Sequence, residues 1–107
     1  MHSTVSINTK QNLQELIANN PDKTIVLKFS ANWCKPCKTL AEWLDKQTLP
    51  SNVILAHVDI SEGEADELCK DYHVMNIPTL VKIGEADNDF TKVVGFSIEH
   101  IKSLLNL

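Results

Sequence analysis

The sequence contains no arginine, and all ten of its basic residues are lysines in a chain of net charge −4. Domains that bind nucleic acids usually carry a basic patch with arginines suited to bidentate contacts. No apolar run approaches the roughly 18 residues of a membrane-spanning helix. The N-terminal MHSTVSINTK also lacks the apolar segment of a secretory signal. We therefore expect a protein of the cytoplasm or another reducing compartment, with neither a nucleic-acid nor a membrane partner.

Internal repeats, low-complexity tracts and linkers are also missing from the 107 residues. This length is close to the commonest size of a single domain, and an apolar content of 43% is enough to form a core. We therefore expect one domain over residues 1–107. No glycine-rich dinucleotide loop is present, so we expect no bound cofactor.

Five segments have strand patterns. The two longest, 24–30 and 52–60, are nearly continuous apolar runs, which are typical of strands buried on both faces of a parallel sheet. Three shorter strands are predicted over 3–7, 79–83 and 90–95. The turn-rich GEADND between the last two indicates an antiparallel hairpin.

Four helices are predicted between these strands, over about 9–19, 34–46, 63–72 and 97–107. Thr9 and Ser97 are the expected N-terminal caps of the first and the last. The side chains expected to face inward are Leu13, Leu16, Ile17, Leu40, Ala41, Trp43, Leu44, Leu68, Cys69 and Tyr72. The order β-α-β-α-β-α-β-β-α predicts an α/β fold, with a central mixed sheet flanked by helices on both faces.

The chain has only three cysteines, too few for a disulfide framework, and two of them form a CxxC pair. Cys34 stands at a helix start, where unpaired N–H groups favour a thiolate. Cys37 lies one turn further in and is expected to be less exposed, where it can resolve a mixed disulfide. Pro36 suits the first helical turn. Lys35, with Lys38, adds positive charge around the thiolate.

Half of a zinc site is the alternative interpretation of this pair. Zinc requires further ligands, which would come from Cys69 together with His57, His73 or His100. These residues lack the paired spacing of structural zinc sites, so redox chemistry is the preferred interpretation and no metal is expected.

The segment FSANWCKPCK, following an apolar strand, resembles the active-site region of the thioredoxin family. The later NIPTL and VVGFS match that family's cis-proline loop and groove-lining glycine. The resemblance implies a thioredoxin fold and a thiol–disulfide oxidoreductase that reduces protein disulfides. It assigns Cys34 as the nucleophile, Cys37 as the resolving thiol and Pro78 as the cis-proline.

The resemblance also implies partners and a substrate groove. The partners are disulfide-containing client proteins and a flavoprotein of the thioredoxin-reductase type, and the chain is expected to be a monomer. The residues expected to contact clients are Trp33, Lys35, Pro36, Ile77, Pro78, Gly95 and Phe96. A cis X–Pro bond costs only about 0.5–1 kcal/mol, so a sharp turn of this kind favours proline. An ordinary trans-proline at a strand start is the alternative.

The sequence departs from the family pattern beside the cysteines. Lys28 stands where thioredoxins usually carry a buried aspartate, and His57 stands where they often carry a lysine. Either the Lys28 amine reaches water along its long stem, or burial near Cys37 lowers its pKa. A neutral Lys28 would accept the proton of Cys37, and so we include it among the candidate catalytic residues. His57 is either a satisfied strand histidine or a group for proton exchange.

A different class of function is compatible with these changes. The fold would then serve mainly as a protein-binding module or complex subunit, with secondary redox activity. Of the other polar candidates, Cys69 is expected to be a small core side chain. Trp43 is expected to pack in the core. The three remaining histidines, His2, His73 and His100, are expected at the surface.

Overall fold

The computed structural model describes residues 4–86 and 89–107. Its elements are β1 (Thr4–Ser6), α1 (Lys10–Asn19), β2 (Thr24–Ser30), α2 (Lys35–Asp45), β3 (Val53–Asp59), α3 (Asp66–Asp71), β4 (Thr79–Ile83), β5 (Phe90–Val94) and α4 (Ile98–Leu105). This is the predicted order of elements. Three predictions lie partly or wholly outside the described residues: the surface position of His2, the first residue of the first strand, and part of the GEADND turn.

The five strands form one sheet in the order β1-β3-β2-β4-β5. β1, β3 and β2 are parallel to one another, β4 is antiparallel to β2, and β5 is antiparallel to β4. The predicted mixed sheet and its terminal hairpin are therefore confirmed. β2 occupies the centre of the sheet, which explains why five consecutive residues of its apolar run are buried.

Helices cover both faces of the sheet, as predicted. Because side chains alternate along a strand, Leu27 and Phe29 of β2 point to one face, where they share a core with Leu13 of α1 and Leu68 of α3. The alternate residue Val26 lies on the other face in a second core. That core also contains Leu40, Leu44, Leu55, Leu80, Ile101 and Leu104, from α2, α4 and the neighbouring strands. Trp43 packs against this second core, as expected.

The predicted helix caps have different outcomes. Thr9 begins α1 with a capping box, in which its hydroxyl accepts from the Asn12 N–H and the Asn12 side chain accepts from the Thr9 N–H. Ser97 is the N-cap residue of α4, but its side chain makes no capping hydrogen bond. Its Oγ instead lies 2.8 Å from Nδ1 of His100.

Two helix predictions are corrected by the structure. The third helix begins at Asp66 rather than at Gly63, because Gly63 has a φ of +80°, which a right-handed helix does not allow. Ile17 was expected to face inward, but it remains 38% exposed at the rim of a cavity that it shares with Leu13 and Phe90.

The helices are short. Among residues 4–86 and 89–107, none is long and apolar enough to cross a membrane. The longest, α2, has 11 residues and buries Cys37, Leu40 and Leu44 along one side.

Candidate active site

Four loops meet at one edge of the sheet. β2 and β3 are parallel and end there, at Ser30 and Asp59. β4 begins at the same edge, because Thr79 pairs with Phe29, and β5 ends there, because Val94 pairs with Thr79. The topology therefore brings together the CxxC pair, the segment after β3, the cis-proline loop and the glycine after β5.

Cys34 and Cys37 form a disulfide at the start of α2, with a Cα–Cα distance of 5.3 Å. Cys34 is the N-cap residue, and its Sγ accepts a hydrogen bond of 3.2 Å from the Cys37 N–H. Pro36 is in the first turn, where its missing N–H leaves no intrahelical bond unmade. A sulfur held against the free N–H groups of a helix start is stabilised as a thiolate once the disulfide is reduced.

The expected difference in exposure between the two cysteines is wrong for this oxidised form. Cys34 is 5% exposed and Cys37 is 4% exposed, so both are buried almost equally. The disulfide packs with Ala31, and half-buried Ile60 and Ile77 lie against the same cluster. These covering residues come from the segments after β2, after β3 and before β4, and they shield both sulfurs together.

The loop after β3 is joined to the loop that carries Trp33 and Cys34. Ser61 Oγ accepts a hydrogen bond of 3.0 Å from the Asn32 N–H. The Ser61 N–H donates to the Asp59 carboxylate at 2.9 Å. Hydrogen bonds from the Ser61 side chain and backbone hold the pKa of Asp59 below its ordinary value. Asp59 therefore stays ionised and keeps Ser61 in place beside the site.

The Ile77–Pro78 peptide bond is cis. The Pro78 carbonyl accepts a hydrogen bond of 2.8 Å from the Gly95 N–H, which links two of the segments expected to contact clients. Thr79 Oγ1 donates to the Asn76 carbonyl at 2.6 Å on the other side of the proline. Pro78 itself is buried, whereas Ile77 is half-buried.

Lys28 is buried in the middle of β2, with only 5% of its surface exposed. It lies on the same face as Val26, beneath α2, in register with His57 of β3 and Leu80 of β4. Burial lowers the pKa of the Lys28 amine, and the nearby Asp45 carboxylate opposes this by a smaller amount. The structure therefore favours the buried lysine over one whose amine reaches freely into water.

The other predicted contact residues differ in their exposure and in what they pack against. Trp33 is 68% exposed immediately before Cys34. Lys35 and Pro36 are exposed in the first turn of α2. Phe96 packs edge to face on Trp43 of α2, with ring centroids 6.2 Å apart, so it is held at the side of this helix.

Sequence reasoning missed two residues that line the site and one exposed residue in the loop that leads to Pro78. Ala31 and Ile60 cover the disulfide directly. Met75, in the loop before Pro78, is 86% exposed. Ile60 was detectable, since it follows a strand parallel to β2 and must lie at the same edge. Met75 carried a weaker signal, as a single apolar side chain within HVMN.

Two of the predicted surface histidines and the predicted core cysteine lie where they were expected. His73 and His100 are exposed. Cys69 is half-buried and packs against the core on the α1 and α3 side, where burial and then the Asp66 carboxylate raise the pKa of its thiol.

Comparison with known proteins agrees with this geometry. The family model Thioredoxin matches residues 4–106. Thioredoxin-1 of Caenorhabditis elegans is 36% identical over 80 residues, which cover 72% of this chain and 68% of that protein. Thioredoxin of Mus musculus is 33% identical over 91 residues, which cover 79% of this chain and 82% of that protein.

Solved structures show the same fold. The X-ray structure of Fasciola hepatica thioredoxin matches with a TM-score of 0.77 and 28% identity, covering 95% of this chain and 96% of that one. The family match extends over nearly the whole chain, and the disulfide stands at the helix start where the chemistry requires it. The chain therefore belongs to the thioredoxin family, and it is a thiol–disulfide oxidoreductase.

Proposed function

We propose that this protein reduces disulfides in client proteins by dithiol exchange. The observation that carries the proposal is the Cys34–Cys37 disulfide at the start of α2, packed against Ile77 of the cis-proline loop. Residues 1–107 act as one thioredoxin domain in this proposal, and the domain works as a monomer.

The reaction begins with the reduced protein. The Cys34 thiolate attacks one sulfur of the client disulfide, forming a mixed disulfide and releasing the other client sulfur as a thiolate, which takes up a proton. Cys37 then loses its proton, and its thiolate attacks Cys34 Sγ. This step re-forms the Cys34–Cys37 bond and releases the second client sulfur. The client gains two electrons, which the protein loses.

The client binds as an extended segment beside the cis-proline. Because proline has no N–H, the backbone of Ile77 is the group available to pair with such a segment. Trp33 and Phe96 supply apolar contact area, with Gly95, Lys35 and Pro36 around the same surface. Pro78 is buried and acts by setting the course of the loop.

Lys28 assists the second step. β2 runs towards the disulfide, so Lys28 lies nearer to it than Val26, which shares its face beneath α2. A lysine whose pKa is lowered by burial is more often neutral near physiological pH than an exposed one, and a neutral amine accepts the Cys37 proton directly or through water.

The oxidised protein is returned to the dithiol by a separate reductase, a flavoprotein of the thioredoxin-reductase type, in the cytoplasm. Mitochondrial thioredoxins are also among the relatives, for example Thioredoxin, mitochondrial, of Mus musculus, which is 30% identical over 87 residues. Fractionation of the native source, followed by immunoblotting, tests the location.

Reduction of insulin by dithiothreitol tests the activity, since precipitation of the free B chain is followed as turbidity. Wild type is expected to accelerate precipitation, and Cys34→Ser is expected to be inactive. Cys69→Ser is the matched control, because Cys69 packs on the other side of the sheet, and it should retain full activity. Equal turbidity rates for wild type and Cys34→Ser would refute dithiol exchange and favour a binding module.

A further inference from the structure

Exposed apolar side chains are concentrated near the disulfide. Seven large hydrophobic side chains are exposed among the described residues. Five of them lie on the segments that meet at the active-site edge or directly follow it: Trp33, Met75, Val94, Phe96 and Ile98. Of these five, Met75 is the most exposed, at 86%.

The loop that carries Met75 is fixed at its start. α3 ends in a Schellman motif, in which the Val74 N–H donates to the Cys69 carbonyl at 2.8 Å and the His73 N–H donates to the Lys70 carbonyl at 3.3 Å. His73 takes the left-handed conformation of this motif, with a φ of 53°.

Lys92 of β5 also holds the start of this loop. Its Nζ donates hydrogen bonds to the His73 carbonyl at 2.8 Å and to the Tyr72 carbonyl at 3.3 Å. The end of the loop is held by the Thr79–Asn76 bond described above. Met75 therefore projects from a segment that is held by hydrogen bonds on both sides.

The chain connects Met75 closely to a residue that covers the reacting sulfurs. Met75 is two residues from Ile77, which packs against the disulfide cluster. Two extended residues span at most about 7 Å. Met75 is therefore close enough to Ile77 for a client segment that pairs with the Ile77 backbone to contact its side chain.

We propose that Met75 is a specificity-determining contact for clients, rather than an incidental surface residue, and that it selects disulfides flanked by an aliphatic or aromatic side chain. Methionine suits this role, because its flexible thioether adapts to apolar groups of different shape. The inference rests on the proposed reduction of client disulfides and assigns the class of client sequence.

The test uses two synthetic peptides, each with one intramolecular disulfide, that differ only in having leucine or serine beside the attacked cysteine. The variants are Met75→Gln, which keeps the length and adds a polar group, and Met75→Leu, which keeps an apolar side chain. We measure kcat/KM for both peptides, and for oxidised glutathione, in the presence of an independent reductant.

Met75→Gln is expected to lower kcat/KM for the leucine peptide about fivefold, through a higher KM, because an apolar contact is lost. Rates with the serine peptide and with glutathione should change less than twofold, and Met75→Leu should match wild type. Equal losses on both peptides, or no loss on either, would overturn the assignment. A wild type that reduces neither peptide would instead overturn the proposed function, and this inference with it.

Discussion

Lys28 and His57 are direct neighbours on adjacent parallel strands, in register and on the face of the sheet that α2 covers. Members of the thioredoxin family usually carry a carboxylate and a lysine at these two positions. Here the strand below the disulfide supplies an amine, and its neighbour supplies an imidazole. The sequence therefore departs from the family pattern at the place beside the disulfide where an acceptor for the Cys37 proton is expected.

Replacing Lys28 by leucine is expected to slow the resolution of the mixed disulfide near neutral pH. General acid–base groups contribute typically about 10²–10⁴-fold, so we expect a loss of about tenfold or more, with attack by Cys34 much less affected. Stopped-flow reduction of a model disulfide separates the two phases. Lys82→Leu is the matched control, since Lys82 pairs with Val26, further from the disulfide on the same face. Superimposable resolution rates from pH 6 to 9 would exclude the role.

The same variant is expected to be more stable than wild type, by on the order of 1 kcal/mol or more, because it removes the desolvation of a buried cation. The gain should depend on pH. In the folded protein the pKa of Lys28 lies below its ordinary value of 10.5, so the unfolded chain binds more protons between the two values. The contribution of Lys28 to wild-type stability therefore rises with pH through this window.

Urea titrations of wild type and Lys28→Leu at several pH values measure this dependence. The difference in unfolding free energy should be largest below the folded pKa and should shrink as pH approaches 10.5. A difference that stays constant, or grows, with rising pH would contradict a lowered pKa.

Cys37→Ser is expected to accumulate mixed disulfides with clients, because Cys34 still attacks and nothing resolves the product. Non-reducing gels of the variant after incubation with an oxidised client should show a covalent adduct that dithiothreitol removes. Both cysteines are equally buried in the disulfide, so the roles depend on the helix start, where Cys34 is the N-cap residue. Adducts formed by Cys34→Ser and not by Cys37→Ser would reverse the assignment.

His73→Gly is expected to stabilise the fold by about 0.5–1 kcal/mol, because a residue with a side chain pays a conformational penalty in the left-handed region that glycine avoids. Thermal or urea unfolding measures the gain. Asn106→Gly is the control at the end of α4, where φ is 60°. Asparagine already tolerates this conformation, so its gain should be smaller. A destabilised His73→Gly variant would show that the His73 side chain contributes more than its backbone costs.

Helices and strands were predicted correctly where the local apolar pattern agrees with the burial of the same residues in the folded protein. β2 was predicted with its observed bounds, because a central strand buried on both faces reads as a continuous apolar run. The start of α3 was predicted too early, because the spacing of apolar residues carries no information about the positive φ of Gly63. The burial of Lys28 was undecided, since a lysine stem is long enough either to stay buried or to reach water, and packing by α2 decides between them.

The active site was predicted mainly from short motifs. The features that were not predicted involve residues that are distant in sequence from those motifs. Ile77 was predicted as a client contact from the NIPTL motif. That it covers the disulfide together with Ile60 follows from the strand order of the sheet and not from the sequence around Cys34. Met75 was missed because exposure in a loop has no periodicity that a sequence displays.

The sheet order has a consequence for synthesis of the protein on the ribosome. β1, β2 and β3 with their helices precede β4 and β5 in the chain, yet β4 pairs with the central strand, and Ile77 just before it covers the cysteines. The CxxC pair therefore leaves the ribosome well before the segment that shields it. During that interval the nascent chain exposes two thiols beside an unpaired edge of β2, the state in which it is most open to wrong disulfides and to strand-mediated association.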